Sequence, residues 1–246
     1  MQIWNWHGFF IYLTNRYIFE GAVTTLWLTA FSICAGFVLG GALALMKRSR
    51  HQIVSLPARF YVWFFRGTPL LVQLIVIYTG LPKFGIRLDV VTCSLIGLSL
   101  NEAAYLAEII RAGLNAVPPG QIAAARALGF EERQIAWRIT FPQAMRIIVP
   151  PLGNSVNGLL KTTSVTSVIS MEELLRRTQL LVQEHFMVLE LFSVSALYYL
   201  AMTSAWDMVQ RRLEHYVNKP YARPTSSRAN APANAQALPD IGQDAR

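Results

Sequence analysis

The chain has 246 residues, of which 53% are hydrophobic and 15% charged. A soluble domain of this length carries about a quarter charged residues, so a water-soluble globule is excluded as its main body. The net charge of +8 would point to nucleic acid on a soluble protein. Here the apolar residues cluster into runs able to cross a hydrocarbon core of about 30 Å, and the charge is read as basic loops on the cytoplasmic side of a membrane, with no nucleic-acid partner.

Inside lipid every backbone N–H and C=O must be paired within its own segment or a closed barrel. The short alternating segments of a β-barrel are missing, so the expected fold is all-α and integral to the membrane. Residues 1–20 mix polar groups with Trp4, Trp6, Phe9, Phe10, Tyr12 and Tyr17, side chains that favour a membrane–water interface. The first span is expected over 21–46, with Ala35, Gly36, Gly40, Gly41 and Ala42 allowing close helix contact. This run ends in Lys47, Arg48 and Arg50 and is read as a retained helix, not a cleaved signal. Spans two and three are expected over 58–78 and 89–111. A polar stretch follows to Arg146. Span four, over 147–170, is rich in Pro, Gly, Asn, Ser and Thr, and span five covers 188–209. The transmembrane domain is thus 21–213, and the composition of 221–246 reads as a disordered cytoplasmic tail. Cys34 and Cys93 sit in apolar runs and read as packing residues, with no metal site.

Five spans place the termini on opposite sides. One assignment gathers Lys47, Arg48, Arg50, Arg59, Arg126, Arg133, Arg138, Arg146, Arg211, Arg212, Lys219, Arg223 and Arg228 on one face, leaving Arg16, Lys83, Arg87, Arg176 and Arg177 on the other. The positive-inside bias therefore puts the N-terminus in the periplasm and the C-terminus in the cytoplasm. The loop 117–144 is then cytoplasmic. Pro118-Pro119-Gly120 is a turn signal. Gln121 to Leu128 holds four alanines, so a short helix is expected, stopped by Gly129. Such a helix is too short to be stable alone in water. It lies either on the membrane surface or in a groove of a soluble partner.

The loop resembles the EAA loop of bacterial ABC importer permeases, whose pattern is Glu-Ala-Ala, three residues, Gly, nine residues, Ile, one residue, Leu-Pro. Here Ala123, Ala124, Ala125, Gly129, Ile139, Phe141 and Pro142 stand at those positions, with Ala123 replacing Glu and Phe141 replacing Leu. Phe65-Arg66-Gly67-Thr68-Pro69-Leu70-Leu71-Val72-Gln73, Leu100-Asn101, Ala107-Glu108-Ile109-Ile110-Arg111 and Lys161-Thr162-Thr163-Ser164-Val165 are similar to motifs of the polar amino acid subfamily (histidine, glutamine, arginine and opine types). The resemblance implies a type I importer: an inner-membrane pore for polar or charged amino acids, made with a second permease subunit. A periplasmic binding protein delivers the solute, and two ATP-binding subunits grip the loop helix. ATP and Mg belong to those subunits, and this chain binds no cofactor. Gly120 belongs to the same coupling loop, and with Arg126 and Gly129 retained, docking is expected to survive the loss of the Glu on packing. The Ala123 replacement points to an asymmetric pair whose other permease keeps it. The chain has no Gly-x-x-x-x-Gly-Lys-Ser/Thr loop. It is read as a transport subunit, not an enzyme; the rival reading is a secondary carrier or channel without an ATPase.

Polar groups within spans usually face a bundle interior or a water-filled path. Glu108 and Arg111, one turn apart, are read as a structural pair, and Arg66 as holding either a bend at Gly67 and Pro69 or the adjoining loop. Asn101, Glu102, Asn154, Ser155, Lys161, Thr162 and Ser164 are the candidates for the translocation path. Some relatives carry an acidic residue where this chain has Ser155. Glu102 either supplies that charge or pairs within the structure or with the partner subunit.

Overall fold

The computed structural model describes residues 4–218, so the expected tail at 221–246 lies outside the described residues. Every regular element among them is helical. Helix α1 (Trp6–Leu13) is capped by Asn5, whose side chain accepts from Gly8 N at 3.0 Å. Asn15 caps α2 (Arg16–Lys47) by accepting from Tyr17 N at 2.8 Å. This cap starts the first long helix at Arg16, five residues before the apolar run that marks it in the sequence. Helix α3 (Gln52–Gly67) and α4 (Leu70–Ile75) follow, the latter prolonged by a π-turn (Val76–Gly80) and a 3-10 turn (Leu81–Phe84). The remaining helices are α5 (Val90–Asn115), α6 (Pro119–Ala127), α7 (Glu132–Ile135), α8 (Phe141–Thr162), α9 (Leu174–His185) and α10 (Val188–Asn218). Ala136–Thr140 forms a π-turn into α8, and Thr163–Ile169 prolongs α8 as a 3-10 helix.

Helices α2, α5 and α10 are long and apolar enough to span a membrane on those grounds alone. The expected second span is instead broken: Gln52–Gly67 and Leu70–Phe84 meet at 104°. Pro69 lacks an N–H and biases Thr68 to extended backbone, where it sits at φ −117°, ψ 143°. Helix α8, with 22 residues and a length of about 33 Å, is long enough to cross but more polar. It packs between α5 and α10. Helix α9 has no counterpart among the expected spans. Glu173, fully buried, caps it by accepting from Leu175 N at 2.9 Å and Arg176 N at 2.8 Å, and also accepts from the Tyr199 hydroxyl at 2.9 Å. The cap is a single acidic residue without an apolar run behind it, which hides this helix from a search for spans.

The most extensive contact joins α2 and α5. Ser32, Gly36, Gly40 and Ala44 recur every four residues and are all buried; Gly36 meets Ala103 of α5, and Gly40 meets Ala103 and Ala107. Small residues at this spacing let two backbones approach closely. A Cβ on Gly40 would lie 2.9 Å from Ala103 O and 3.0 Å from Ala107 N. Of the small residues noted in this run, Gly36 and Gly40 make the seam, whereas nothing lies within 4 Å of the position a Gly41 Cβ would take. Helices α8 and α10 are joined by polar side chains. Trp206 Nε1 donates to Gly153 O at 2.8 Å, and Asn157 Nδ2 donates to Asp207 Oδ1 at 2.7 Å.

At the end of the bundle where α2 and α5 finish, Glu108 joins them. Its Oε2 accepts from Arg111 Nη2 at 2.7 Å and Nε at 3.1 Å, and its Oε1 pairs with Lys47 of α2. The Arg111 contact is legible from the i, i+3 spacing. Lys47, distant in sequence, is brought in only by the α2–α5 seam.

Candidate functional site: a polar cleft and an exposed loop helix

The break between α3 and α4 leaves backbone carbonyls without helical partners. Gln73, 7% exposed, covers them: its Nε2 donates to Phe65 O at 3.0 Å, Thr68 O at 3.1 Å and Thr68 Oγ1 at 2.8 Å. Asn101 on α5 completes the clamp, donating to Gln73 Oε1 at 3.1 Å and Phe65 O at 3.3 Å. The bend is therefore held by two amides. Gln73 lies in a quoted motif, but nothing in its sequence context reveals this task.

Beside the bend, α5 and α8 wall a cleft of about 540 Å³. It brings together Asn101, Glu102, Ser155 and Thr162 of the sequence candidates and adds Arg66 and Tyr105. Glu102 is 8% exposed, and its Oε1 has no hydrogen-bond partner among the described residues. Gly36 of α2 packs behind it: a Cβ there would sit 3.2 Å from Glu102 Cβ. Ser155 is the hydroxyl that faces the carboxylate. Arg66 stacks its guanidinium on the Tyr105 ring, 5.3 Å from the centroid, and makes no ion pair among the described residues. Thr162 Oγ1 donates back to Gly158 O at 3.0 Å.

The other three path candidates do not line this cleft. Asn154 turns toward α10, where its Oδ1 lies 3.5 Å from Gln210 Nε2. Lys161 is exposed, and its carbonyl accepts from Ser164 Oγ at 2.6 Å. Helical rotation of 100° per residue separates Asn154 and Lys161 from Ser155 and Thr162, and Ser164 stands past the end of α8 on the 3-10 helix, distinctions that residue type alone does not make.

The second candidate site is the loop between α5 and α8. Helix α6 starts at Pro119, whose missing N–H costs nothing at a first turn. It ends at Gly129, which has φ +80°, a value favouring glycine. Gly129 N donates to Arg126 O at 3.0 Å and Phe130 N to Ala125 O at 3.1 Å, closing the end. Ala125, 3% exposed, faces inward, while Gly120, Ala123, Ala124 and Leu128 are exposed, Leu128 by 78%. Arg126 is committed within the chain: its Nε and Nη2 donate to the Glu132 carboxylate at 2.5 and 3.1 Å. This pairing holds the Glu132 carboxyl below the usual carboxylate range. Pro142 stands in the first turn of α8. The helix thus presents an exposed face of small side chains flanked by one large apolar residue.

Long apolar helices, a broken span and a polar cleft against α8 define a polytopic transport subunit. Residues 32–219 match the family described as binding-protein-dependent transport system inner membrane component. The chain belongs to that family and is an ABC importer permease subunit of the inner membrane. It is 34% identical to the arginine transport system permease protein ArgU of Corynebacterium glutamicum, over 99% of this chain and 84% of that protein. It is 41% identical to the octopine transport system permease protein OccM of Rhizobium radiobacter, over 78% of this chain and 82% of that one. Among solved structures, an amino acid ABC transporter determined with histidines matches with a TM-score of 0.77 and 36% identity, over 81% of this chain and 94% of that chain. The inward-facing MetNI methionine ABC transporter, 19% identical, shares the fold at a TM-score of 0.67, over 82% of this chain and 96% of that chain.

Proposed function

We propose that this chain forms half of the pore of an importer for polar or charged amino acids or their derivatives, opines included. In this reading a binding protein delivers the solute from the periplasm, where the N-terminus lies. Helix α6 faces the cytoplasm and seats in one of two ATP-binding subunits, which hold the ATP and Mg. The single observation that carries the reading is the exposed α6 face of Gly120, Ala123 and Ala124, stopped by Gly129. None of the described residues covers it, and it sits on the loop that resembles the family's ATPase-coupling segment. The polar cleft, with Asn101, Glu102, Ser155 and Thr162, is the proposed solute path, and Asn154, Lys161 and Ser164 serve the neighbouring seams. A second permease that keeps the Glu lost at Ala123 would close the cleft on its open side. The basic residues beside α6 support the orientation through the positive-inside bias.

The test is uptake by vesicles reconstituted with the complex that copurifies with this chain. Radiolabelled amino acids should accumulate only with ATP on the α6 side and binding protein on the opposite side. Accumulation driven by an ion gradient, without ATP, would instead make the chain a secondary carrier.

A further inference from the structure

Helices α2 and α10 both pack on α8 and scarcely touch each other, which leaves a groove between them. We infer that this groove is a binding site for a phospholipid with an anionic headgroup, one acyl chain lying along the groove and the phosphate meeting Arg211 and Arg212. The inference goes beyond the transport reading and needs only that the chain spans the membrane.

The groove is long and walled by hydrocarbon. Its first part, of about 670 Å³, sets Phe19, Leu26 and Ala30 of α2 against Tyr198, Ala201 and Ala205 of α10. Its second part, of about 580 Å³, sets Phe37 and Val38 against Leu213 and Val217, with Met145 and Val149 of α8 as its floor. Ile33, Cys34, Val156 and Trp206 line both parts, so the two are continuous. From Phe19 to Val38 the helix rises about 28 Å, close to the about 30 Å of a hydrocarbon core. The polar side chains along the groove are spent inside the chain. Thr29 Oγ1 donates to Thr25 O at 2.8 Å, Tyr198 to Leu13 O at 2.9 Å and Trp206 Nε1 to Gly153 O at 2.8 Å. Such a wall offers a guest only dispersion and release of apolar surface, which suits an alkyl chain and not a polar solute. The second permease is placed elsewhere: Ser155 and Thr162 of α8 face the cleft, whereas Val156 and Leu160, turned about the helix axis, face the groove. Charge gathers at one end. Arg211 and Arg212 stand between the groove residues Gln210 and Leu213, are both exposed, and form no ion pair among the described residues. Arg212 continues the line of Ala201, Ala205 and Val209 at helical spacing, so it flanks the mouth of the groove. Their neighbour Glu214 instead accepts from Gln210 Nε2 at 2.7 Å. The guanidinium fork matches phosphate oxygens, and basic residues at the end of a membrane helix attract anionic lipid. A lipid without net charge would fill the groove but leave both arginines unanswered.

The experiment places the intact complex in phosphatidylcholine nanodiscs holding a small fraction of a lipid with a diazirine near the end of one acyl chain. The headgroup of this probe is either phosphatidylglycerol or phosphatidylcholine, and after illumination the labelled residues are identified by mass spectrometry. In the wild type the phosphatidylglycerol probe should label groove residues such as Val38, Val156 and Trp206 about five-fold or more above the phosphatidylcholine probe, since each arginine near the surface adds roughly five-fold. At Leu200 and Met208, which are exposed on α10 and line neither part of the groove, the two probes should label alike. Arg211→Gln combined with Arg212→Gln should bring the groove ratio close to one. Ala205→Trp, which places an indole in the groove, should lower labelling there by both probes and spare Leu200 and Met208. The proposal is overturned by equal labelling of the wild-type groove by both probes, by an unchanged ratio in the double variant, or by a groove that neither probe labels, the result expected if a protein segment fills it. If the double variant does not assemble, the wild-type ratio at high salt decides: a fall toward one supports the arginine–phosphate contact and no change overturns it. None of these readouts depends on ATP or solute, so failure of the importer reading would show separately.

Discussion

Replacing Gln73 with leucine is expected to abolish transport. The side chain fits the space but leaves Phe65 O and Thr68 O without their main donor and Asn101 without its acceptor. Each buried polar group left unpaired costs about 1–3 kcal/mol. Phe65 O keeps Asn101 as a donor at 3.3 Å, so the loss falls on Thr68 O and one Asn101 N–H and is roughly 2–6 kcal/mol at one bend. That bend carries Arg66 and forms one wall of the cleft, so relief by straightening or unravelling would dismantle the site. Asn101→Leu should have a smaller effect, because Gln73 still covers both carbonyls. The measurement is ATP-driven uptake, together with the half-life of the purified complex at raised temperature. Val72→Leu, next door on the exposed side of α4, serves as the control. Wild-type uptake by Gln73→Leu would show that the amide clamp is dispensable.

Gly40→Leu is expected to prevent the chain from accumulating in the membrane. Its Cβ would stand 2.9 Å from Ala103 O, 3.0 Å from Ala107 N and 3.0 Å from Leu106 Cβ. Two of these neighbours are backbone atoms of a helix, which cannot turn aside as a side-chain end can, so α2 and α5 would have to separate. Overpacking of this kind costs about 1–3 kcal/mol and occasionally more. Here it falls on the most extensive helix contact and pulls Lys47 away from Glu108. Gly41→Leu starts the same side chain from a Cβ position with nothing within 4 Å and should be tolerated. Quantifying the tagged chain in membranes separates the two. Equal amounts for both variants would mean that the close approach at Gly40 is not needed.

The long apolar helices were legible because hydropathy and length are local properties of the sequence. The stop of α6 at Gly129 was legible for a similar reason, since a glycine after an alanine-rich run is a local signal. The 104° bend was harder to read. Gly67 and Pro69 mark a break, but its angle depends on Gln73 and Asn101 reaching back to Phe65 and Thr68 from further along the chain. The cleft was legible only in part. Glu102 and Asn101 stand out as polar groups in an apolar span, and Ser155 and Thr162 were found among the many polar residues of α8. Asn154, Lys161 and Ser164 are of equally polar type and were set apart only by the rotation of α8 and by its change to a 3-10 helix at Thr163. Arg66 was assigned to the bend because it precedes Gly67 and Pro69; only the fold places its guanidinium on Tyr105 and lets it line the same cleft as Glu102. Lys47 was taken as a flanking positive charge, and the seam of small residues turns it onto Glu108. Asp207, which accepts from Asn157 across the α8–α10 seam, carried no signal in the sequence beyond being an acid in an apolar run.

The claim on which the account rests is that α6 is held by an ATP-binding subunit in the cytosol. It is tested most directly by photo-crosslinking in intact cells, with benzoylphenylalanine incorporated at Ala124, on the exposed face, and at Ala42, on the outward side of α2. The prediction is a covalent product between position 124 and a nucleotide-binding subunit, and no such product from position 42. A probe at 124 that reacts only with lipid, or that a membrane-impermeant reagent reaches from the periplasm, would contradict it.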